Sequence, residues 1–188
     1  MNDKRKKPEI SWFGALCDDD YEFLGVVAPE LTSSWNHCRD IVLCAEENGF
    51  DNILLPSGYE LGIDATSFAS AISVATNKIR LLLAVRMGEM WLPQLARQMA
   101  TIDQMSGGRL TINIISSELP GQKLESDPRY ERTREYMKVL RQLLNGNPVD
   151  FHGQFVDLEI EAPRVRTVSG HCPLFYFGGF SEAAKETA

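Results

Sequence analysis

The clearest ligand-binding pattern in the chain is a pair of glycines that follows an apolar run and precedes a serine. The sequence Gly178-Gly179-Phe180-Ser181 comes directly after Leu174–Phe177 and before a segment of helical composition. Glycines at the end of a strand let a ligand approach the backbone, and the free N–H groups of a helix N-terminus suit a phosphate. The pattern predicts a phosphate site, but a strand-to-helix turn with a serine cap has the same short sequence.

Arg86 ends another apolar run, Leu81–Val85, so its charge should emerge at the carboxyl end of a strand. In parallel α/β folds ligands bind beyond those strand ends, where the loops converge. Arg86 is therefore a candidate for binding the phosphate or the edge of a cofactor, or else for an ion pair with an acid such as Glu89. Ser57-Gly58 closes a further run and is expected at the same end of the sheet.

Asn113 and Tyr130 are two more polar candidates. Asn113 lies inside the apolar run Leu110–Ile115, where its amide needs hydrogen-bond partners. It either binds a ligand or bridges neighbouring strands. Tyr130 stands at the start of a helix, from which it either reaches the site or packs as an ordinary aromatic side chain.

These candidates are positioned by a repeated unit of a short apolar run, a polar turn and an amphipathic helix. Alternation of this kind is typical of a parallel sheet that is buried on both faces. About five such units are present, and their apolar runs are Ile10–Phe13, Ile53–Leu55, Leu81–Val85, Leu110–Ile115 and Leu174–Phe177.

Apolar periodicity and capping residues predict the helices between the runs. They also predict two departures from the repeat: a long polar loop over Glu118–Pro128, and a β-hairpin inserted at 149–160. Ser181 is expected to cap a last helix. The other helices are expected near Trp35–Ala45, Thr66–Ala75 (capped by Asp64), Leu92–Met105 and Arg129–Leu144.

Composition indicates an ordinary globular chain of 188 residues with a net charge of −7, which disfavours a nucleic-acid partner. No apolar run is long enough to span a membrane. The basic segment 1–9 is expected to be a disordered tail, because it lacks the apolar stretch of a secretory signal. The four cysteines form no Cys-x-x-Cys pair and the three histidines are scattered. We therefore expect a cytoplasmic protein without a metal site.

Taken in order and spacing, several stretches resemble the bacterial luciferase-like flavin monooxygenases, and among them the alkanesulfonate monooxygenase group. The resemblance extends over nearly the whole chain. The stretches are Ser11-Trp12-Phe13, Leu55-Pro56-Ser57-Gly58, Leu83-Ala84-Val85-Arg86, Ala96–Asp103, Ser106-Gly107-Gly108-Arg109, Arg129-Tyr130-Glu131-Arg132, Val149–Gly153 and Pro173–Ser181.

This resemblance implies a (β/α)8 TIM barrel, of which residues 10–188 would be the N-terminal part. It implies a monooxygenase that uses O2 and reduced FMN, supplied by a separate flavin reductase, to oxygenate a small organic substrate such as an alkanesulfonate. A dry, shaped cavity would protect the activated flavin from water. In this chain Tyr130, Gly178, Gly179 and Ser181 would hold the FMN phosphate, Asn113 would meet the isoalloxazine or ribityl group, and Ser57 and Arg86 would line the flavin cavity.

The chain departs from that group in ways that bear on activity. Cys17 stands where the group tends to carry a histidine, and the group's cysteine is missing around Tyr59-Glu60-Leu61. The catalytic residues of the group come from a second half of the barrel, so none is assigned here. Two alternatives follow: a half-barrel that binds flavin without oxygenating a substrate, and an association module that completes a barrel with a partner chain. Exposed sheet edges also predict a homo-oligomer.

Overall fold

The computed structural model describes residues 8–14, 16, 33–59, 62–178 and 182–187. Most of the predicted basic tail, and Cys17, Gly179 and Ser181 as well, lie outside the described residues. The elements are β1 (Ser11–Phe13), α1 (Trp35–Glu47), β2 (Asn52–Leu55), α2 (Ala65–Ala75), β3 (Arg80–Arg86), α3 (Leu92–Ser106), β4 (Leu110–Ile115), α4 (Ser126–Leu144), β5 (Val149–His152), β6 (Asp157–Ile160), β7 (Phe175–Phe177) and α5 (Glu182–Thr187).

Five strands form a parallel sheet in the order β1-β2-β3-β4-β7, as the alternating pattern predicts. The side chains of successive residues on β4 face opposite sides of this sheet. Leu110, Ile112 and Ile114 are buried in the main core, whereas Asn113 and Ile115 are only half-buried. The helices therefore cover one face of the sheet, and Asn113 stands on the other.

The sheet is curved, because a carboxylate near one edge reaches a side chain on the opposite edge. Glu9, which precedes β1, accepts a hydrogen bond of 2.9 Å from the Tyr176 hydroxyl on β7. The same carboxylate pairs with Arg80 of β3 at 2.7 Å and accepts a bond from the Asn52 side-chain amide. β1 and β7 are the edge strands of the described sheet. This contact across the open face is expected for a sheet that curves toward closure into a barrel.

Helix starts follow their capping residues. The Ser34 side chain accepts a hydrogen bond from the backbone N–H of His37 at the start of α1, and Asp64 accepts one from Ser67 at the start of α2. The Asp64 cap is as predicted. At the far end of α3, Gly107 adopts a left-handed φ of 68°, a conformation that favours glycine and ends the helix.

Helix α4 begins earlier than predicted. The sequence suggested a loop through Pro128, yet α4 starts at Ser126. The physical reason is that a proline in the first helical turn loses no intrahelical hydrogen bond, since the first N–H groups have no partner within the helix. Pro128 is thus compatible with the first turn.

The predicted hairpin is present as the antiparallel pair β5–β6, outside the parallel sheet. Glu135 of α4 holds its tip: this buried carboxylate accepts backbone hydrogen bonds from Gln154, Phe155 and Val156 at 2.8, 2.7 and 2.9 Å. A side chain at Gly153 would clash with that carboxylate, because its Cβ would lie 2.4 Å from Oε2. The hairpin is therefore fastened to α4.

Among the helices that the structure describes, none combines the length and apolar character needed to cross a membrane.

Candidate functional site

Two cavities open at the carboxyl ends of the strands and share a wall. One, of about 300 Å³, lies between the ends of β2 and β3 and the starts of α2 and α3. The other, of about 780 Å³, lies between segments 57–59 and 118–123. Both volumes fall in the range of small-molecule sites. Ser57, Gly58, Tyr59 and Arg86 line both cavities. Two of the predicted site residues, Ser57 and Arg86, therefore form one wall.

Arg86 bridges two loops by its guanidinium. Its Nη1 donates to the carbonyl oxygen of Glu118 at 3.0 Å, and its Nη2 donates to the carbonyl oxygen of Ser57 at 3.1 Å. Within the described chain it forms no ion pair with Glu89, the alternative suggested by the sequence. The third guanidinium nitrogen, Nε, is buried and has no protein partner among the described residues. The arginine thus joins two loops of the cavity wall and leaves its Nε–H without a protein partner.

Asn113 lies between β3 and β7, in register with Ala84 on one side and Tyr176 on the other. Partners in register share a face of the sheet, so its side chain stands on the face that the helices leave open. It forms no side-chain hydrogen bond with any described residue, and the strand-bridging alternative gains no support. A ligand-binding role for Asn113 stays a prediction.

Tyr130 packs at the tip of β7. Its ring meets that of Phe177 edge-on, with 6.3 Å between centroids and 65° between planes. Phe177 immediately precedes Gly178, and a Cβ built at Gly178 would have no described atom within 4 Å. The structure therefore brings Tyr130 beside the first predicted phosphate-binding glycine and leaves that backbone open. The positions of Gly179 and Ser181 lie outside the described residues.

Buried polar atoms without a protein partner are concentrated at this end of the sheet. Six side-chain atoms in the described chain are of this kind, and five belong to residues at the ends of β3 and β4 or the start of α4. Such atoms are rare in folded proteins and indicate a site for water or a ligand. The five are Nε of Arg86, Arg129 and Arg132 and Oγ of Ser116 and Ser117. Arginine Nε and serine hydroxyls donate hydrogen bonds, so this end of the sheet fits an oxygen-rich, anionic ligand such as a flavin phosphate.

Arg132 is the residue that sequence reasoning missed. It is only 5% exposed, and its Nη2 donates to the carbonyl oxygen of Ser117 at 2.9 Å. Burial lowers the pKa of Arg132, and the nearby Tyr136 opposes that effect. A helical pattern assigns a charged residue to the solvent side, so the apolar period of α4 gave no signal for it.

The described residues contain no group of three or more His, Cys, Asp or Glu side chains placed to hold a metal ion. Among the described residues, Cys38, Cys44 and Cys172 form no disulfide. Burial raises the pKa of Cys172 to about 12, so its thiol stays protonated near neutral pH and makes a poor nucleophile.

Comparison with known proteins gives consistent matches. The profile of the luciferase-like monooxygenase family matches residues 23–188. Sulfoquinovose monooxygenase of Novosphingobium aromaticivorans is 58% identical over 187 residues, which cover 96% of this chain and 52% of that protein. Sulfoquinovose monooxygenase of Agrobacterium fabrum is 46% identical over 181 residues, covering 95% and 47%. The structure of EDTA monooxygenase from Chelativorans sp. BNC1 matches with a TM-score of 0.80 at 18% identity, covering 95% of this chain and 53% of that one.

The parallel sheet, its helices and the site at the strand ends define a partial (β/α)8 barrel, which confirms the predicted fold class. The chain belongs to the luciferase-like monooxygenase family, as the resemblance indicated. It spans about half the length of the curated relatives that it matches.

Proposed function

We propose that this chain forms the flavin-binding part of an FMN-dependent monooxygenase. The observation that carries the proposal is the packing of Tyr130 against Phe177, beside the open backbone of Gly178. Family membership supports flavin chemistry, and the donors at the same end of the sheet fit an anionic cofactor. When bound, reduced FMN supplies the electrons with which O2 is activated.

The assignment of residues follows the resemblance. Tyr130, Gly178, Gly179 and Ser181 bind the phosphate of FMN. Asn113 donates or accepts a hydrogen bond at the ribityl or isoalloxazine group from the open face of the sheet. The Ser57–Arg86 wall bounds the cavity and helps to exclude water. A separate flavin reductase supplies the reduced cofactor, and the cytoplasm is the proposed location.

Flavin binding by the isolated chain tests this proposal. Asn113→Leu and Ser181→Ala each remove a hydrogen bond to the cofactor, so we expect each to weaken FMN binding by about tenfold. Quenching of flavin fluorescence on titration measures the dissociation constant. Lys138→Gln is the matched control, because Lys138 is an exposed cation on α4 and lines neither cavity. A parent chain that leaves FMN fluorescence unchanged, or two variants with the parent's affinity, would refute the assignment.

The substrate that we propose is an organosulfonate. Two relatives at 58% and 46% identity are named sulfoquinovose monooxygenase, which favours a sulfonated sugar over the simple alkanesulfonate expected from sequence. With reduced FMN, O2 and a flavin reductase, we expect a complete (β/α)8 barrel that contains this chain to deplete sulfoquinovose faster than an alkanesulfonate of similar length. Mass spectrometry of both compounds in parallel reactions measures this preference, and equal or reversed depletion would contradict it.

A further inference from the structure

The Arg132 side chain packs against Gly88, in the turn between β3 and α3, and its guanidinium reaches the loop after β4. A Cβ at Gly88 would lie 3.0 Å from Nε and 3.1 Å from Cδ of Arg132, and also 3.1 Å from a methyl carbon of Leu119. Gly88 has a φ of +102°, a conformation that L side chains rarely adopt. A turn without a side chain therefore makes room for the guanidinium.

Burying the charge of Arg132 costs stability. No carboxylate of a described residue forms an ion pair with Arg132 within 4 Å, whereas Arg80, Arg129 and Arg134 each have such a partner. A buried cation without a paired carboxylate destabilises the fold relative to an apolar side chain of similar volume. What the guanidinium adds, beyond volume, is the hydrogen bond from Nη2 to the Ser117 carbonyl.

That carbonyl belongs to the segment that Arg86 also holds. The next carbonyl along the chain, Glu118, accepts the bond from Nη1 of Arg86, whose Nη2 reaches Ser57. Leu119 follows and is buried, with its backbone paired to Gln122 in the turn that forms the outer wall of the larger cavity. Two arginines on different elements thus hold successive carbonyls at the entrance of the site.

We infer that Arg132 is a positioning residue: it fixes the Ser117 carbonyl so that Arg86 can join the loops after β2 and β4 into one cavity wall. In this role Arg132 acts through the backbone of Ser117, while its Nε and Cδ pack against Gly88. The inference rests on the proposed function, because the affinity for FMN is the property that the wall would control.

Titration of FMN against Arg132→Gln and Arg132→Lys tests the inference. A hydrogen bond from a charged donor is lost in Arg132→Gln, so we expect FMN affinity to fall by about tenfold. Arg132→Lys keeps the charge and one reachable donor, so we expect a smaller loss. Lys138→Gln, on the same helix, should retain the parent's affinity because Lys138 is exposed and lines neither cavity.

Two further measurements separate positioning from general stability. Amide hydrogen exchange over residues 116–123 should be faster in Arg132→Lys at a temperature where both proteins are folded. Arg86→Gln and Arg132→Gln combined should weaken FMN binding by less than the product of their separate effects, because both act through one segment.

The outcomes are distinct. If the parent chain binds no FMN, the proposed function is wrong. If the parent binds FMN and Arg132→Lys and Arg132→Gln do so equally well, the inference is wrong and the proposed function stands. If Arg132→Gln fails to fold, Arg132→Lys alone decides. The inference is overturned if Arg132→Lys has the same FMN affinity and the same exchange rates as the parent.

Discussion

Single carboxylates hold several of the connections in this protein. The Glu46 carboxylate oxygen on α1 accepts backbone hydrogen bonds from Asn77, Lys78 and Ile79 at 2.9, 2.6 and 2.9 Å. It thereby fixes the turn between α2 and β3 from a distance of more than 30 residues in sequence. Such bonds exist in full only while the carboxylate is ionised, since a carboxylate is the stronger acceptor.

The pKa of Glu46 gives this tie a pH dependence. Burial alone would raise that pKa, but the three backbone N–H groups together with Arg109 lower it below the model-compound value of 4.5. The contribution of Glu46 to stability is therefore complete above the unfolded-state pKa, and is lost as the pH falls through the lower folded-state pKa.

We expect Glu46→Gln to lower the thermal midpoint at neutral pH and to flatten its decline in acid. Thermal unfolding followed by circular dichroism between neutral pH and pH values below 4.5 measures both effects. Glu47→Gln is the control, because Glu47 is the adjacent, exposed acid on α1. Parallel stability profiles for Glu46→Gln and the parent across that range would contradict the role given to Glu46.

At the scale of elements, apolar periodicity predicted the strands of the sheet, the main helices and the inserted hairpin. That success has a physical basis, because burial of alternating and helical faces is the dominant local signal. The predicted start of α4 was three residues too late, because proline is tolerated in a first helical turn. Boundaries set by such permissive positions carry little sequence signal.

The candidate site was less predictable than the elements that carry it. Position at a strand end was enough to place Ser57 and Arg86 in one cavity wall. Their partners were not predictable, because Arg86 binds the carbonyls of Ser57 and Glu118, and a backbone carbonyl is present at every residue. For the same reason the burial of Arg132 against Gly88 depends on tertiary packing and not on local pattern.

At the scale of the whole molecule, both edges of the parallel sheet carry exposed apolar side chains. Ile10, Trp12 and Phe13 at the β1 edge are 54%, 53% and 50% exposed, and Leu174 next to β7 is 59% exposed. Edge strands also present unpaired backbone groups, and the two features together favour pairing with another chain. The homo-oligomer expected from the sequence stays a prediction.

We expect the purified chain to associate with itself as its concentration rises, with the sheet edges at the contact. A lysine at an edge opposes such pairing, so Leu174→Lys should shift the molar mass from light scattering toward the monomer at a fixed concentration. Val74→Lys is the matched control, because Val74 is an equally apolar side chain, 67% exposed, on helix α2. Association that is the same in both variants would assign the contact to another surface, and a parent chain that stays monomeric at all concentrations would show that the edges do not pair. The comparison isolates the edge because both substitutions add one positive charge to the same net charge of −7.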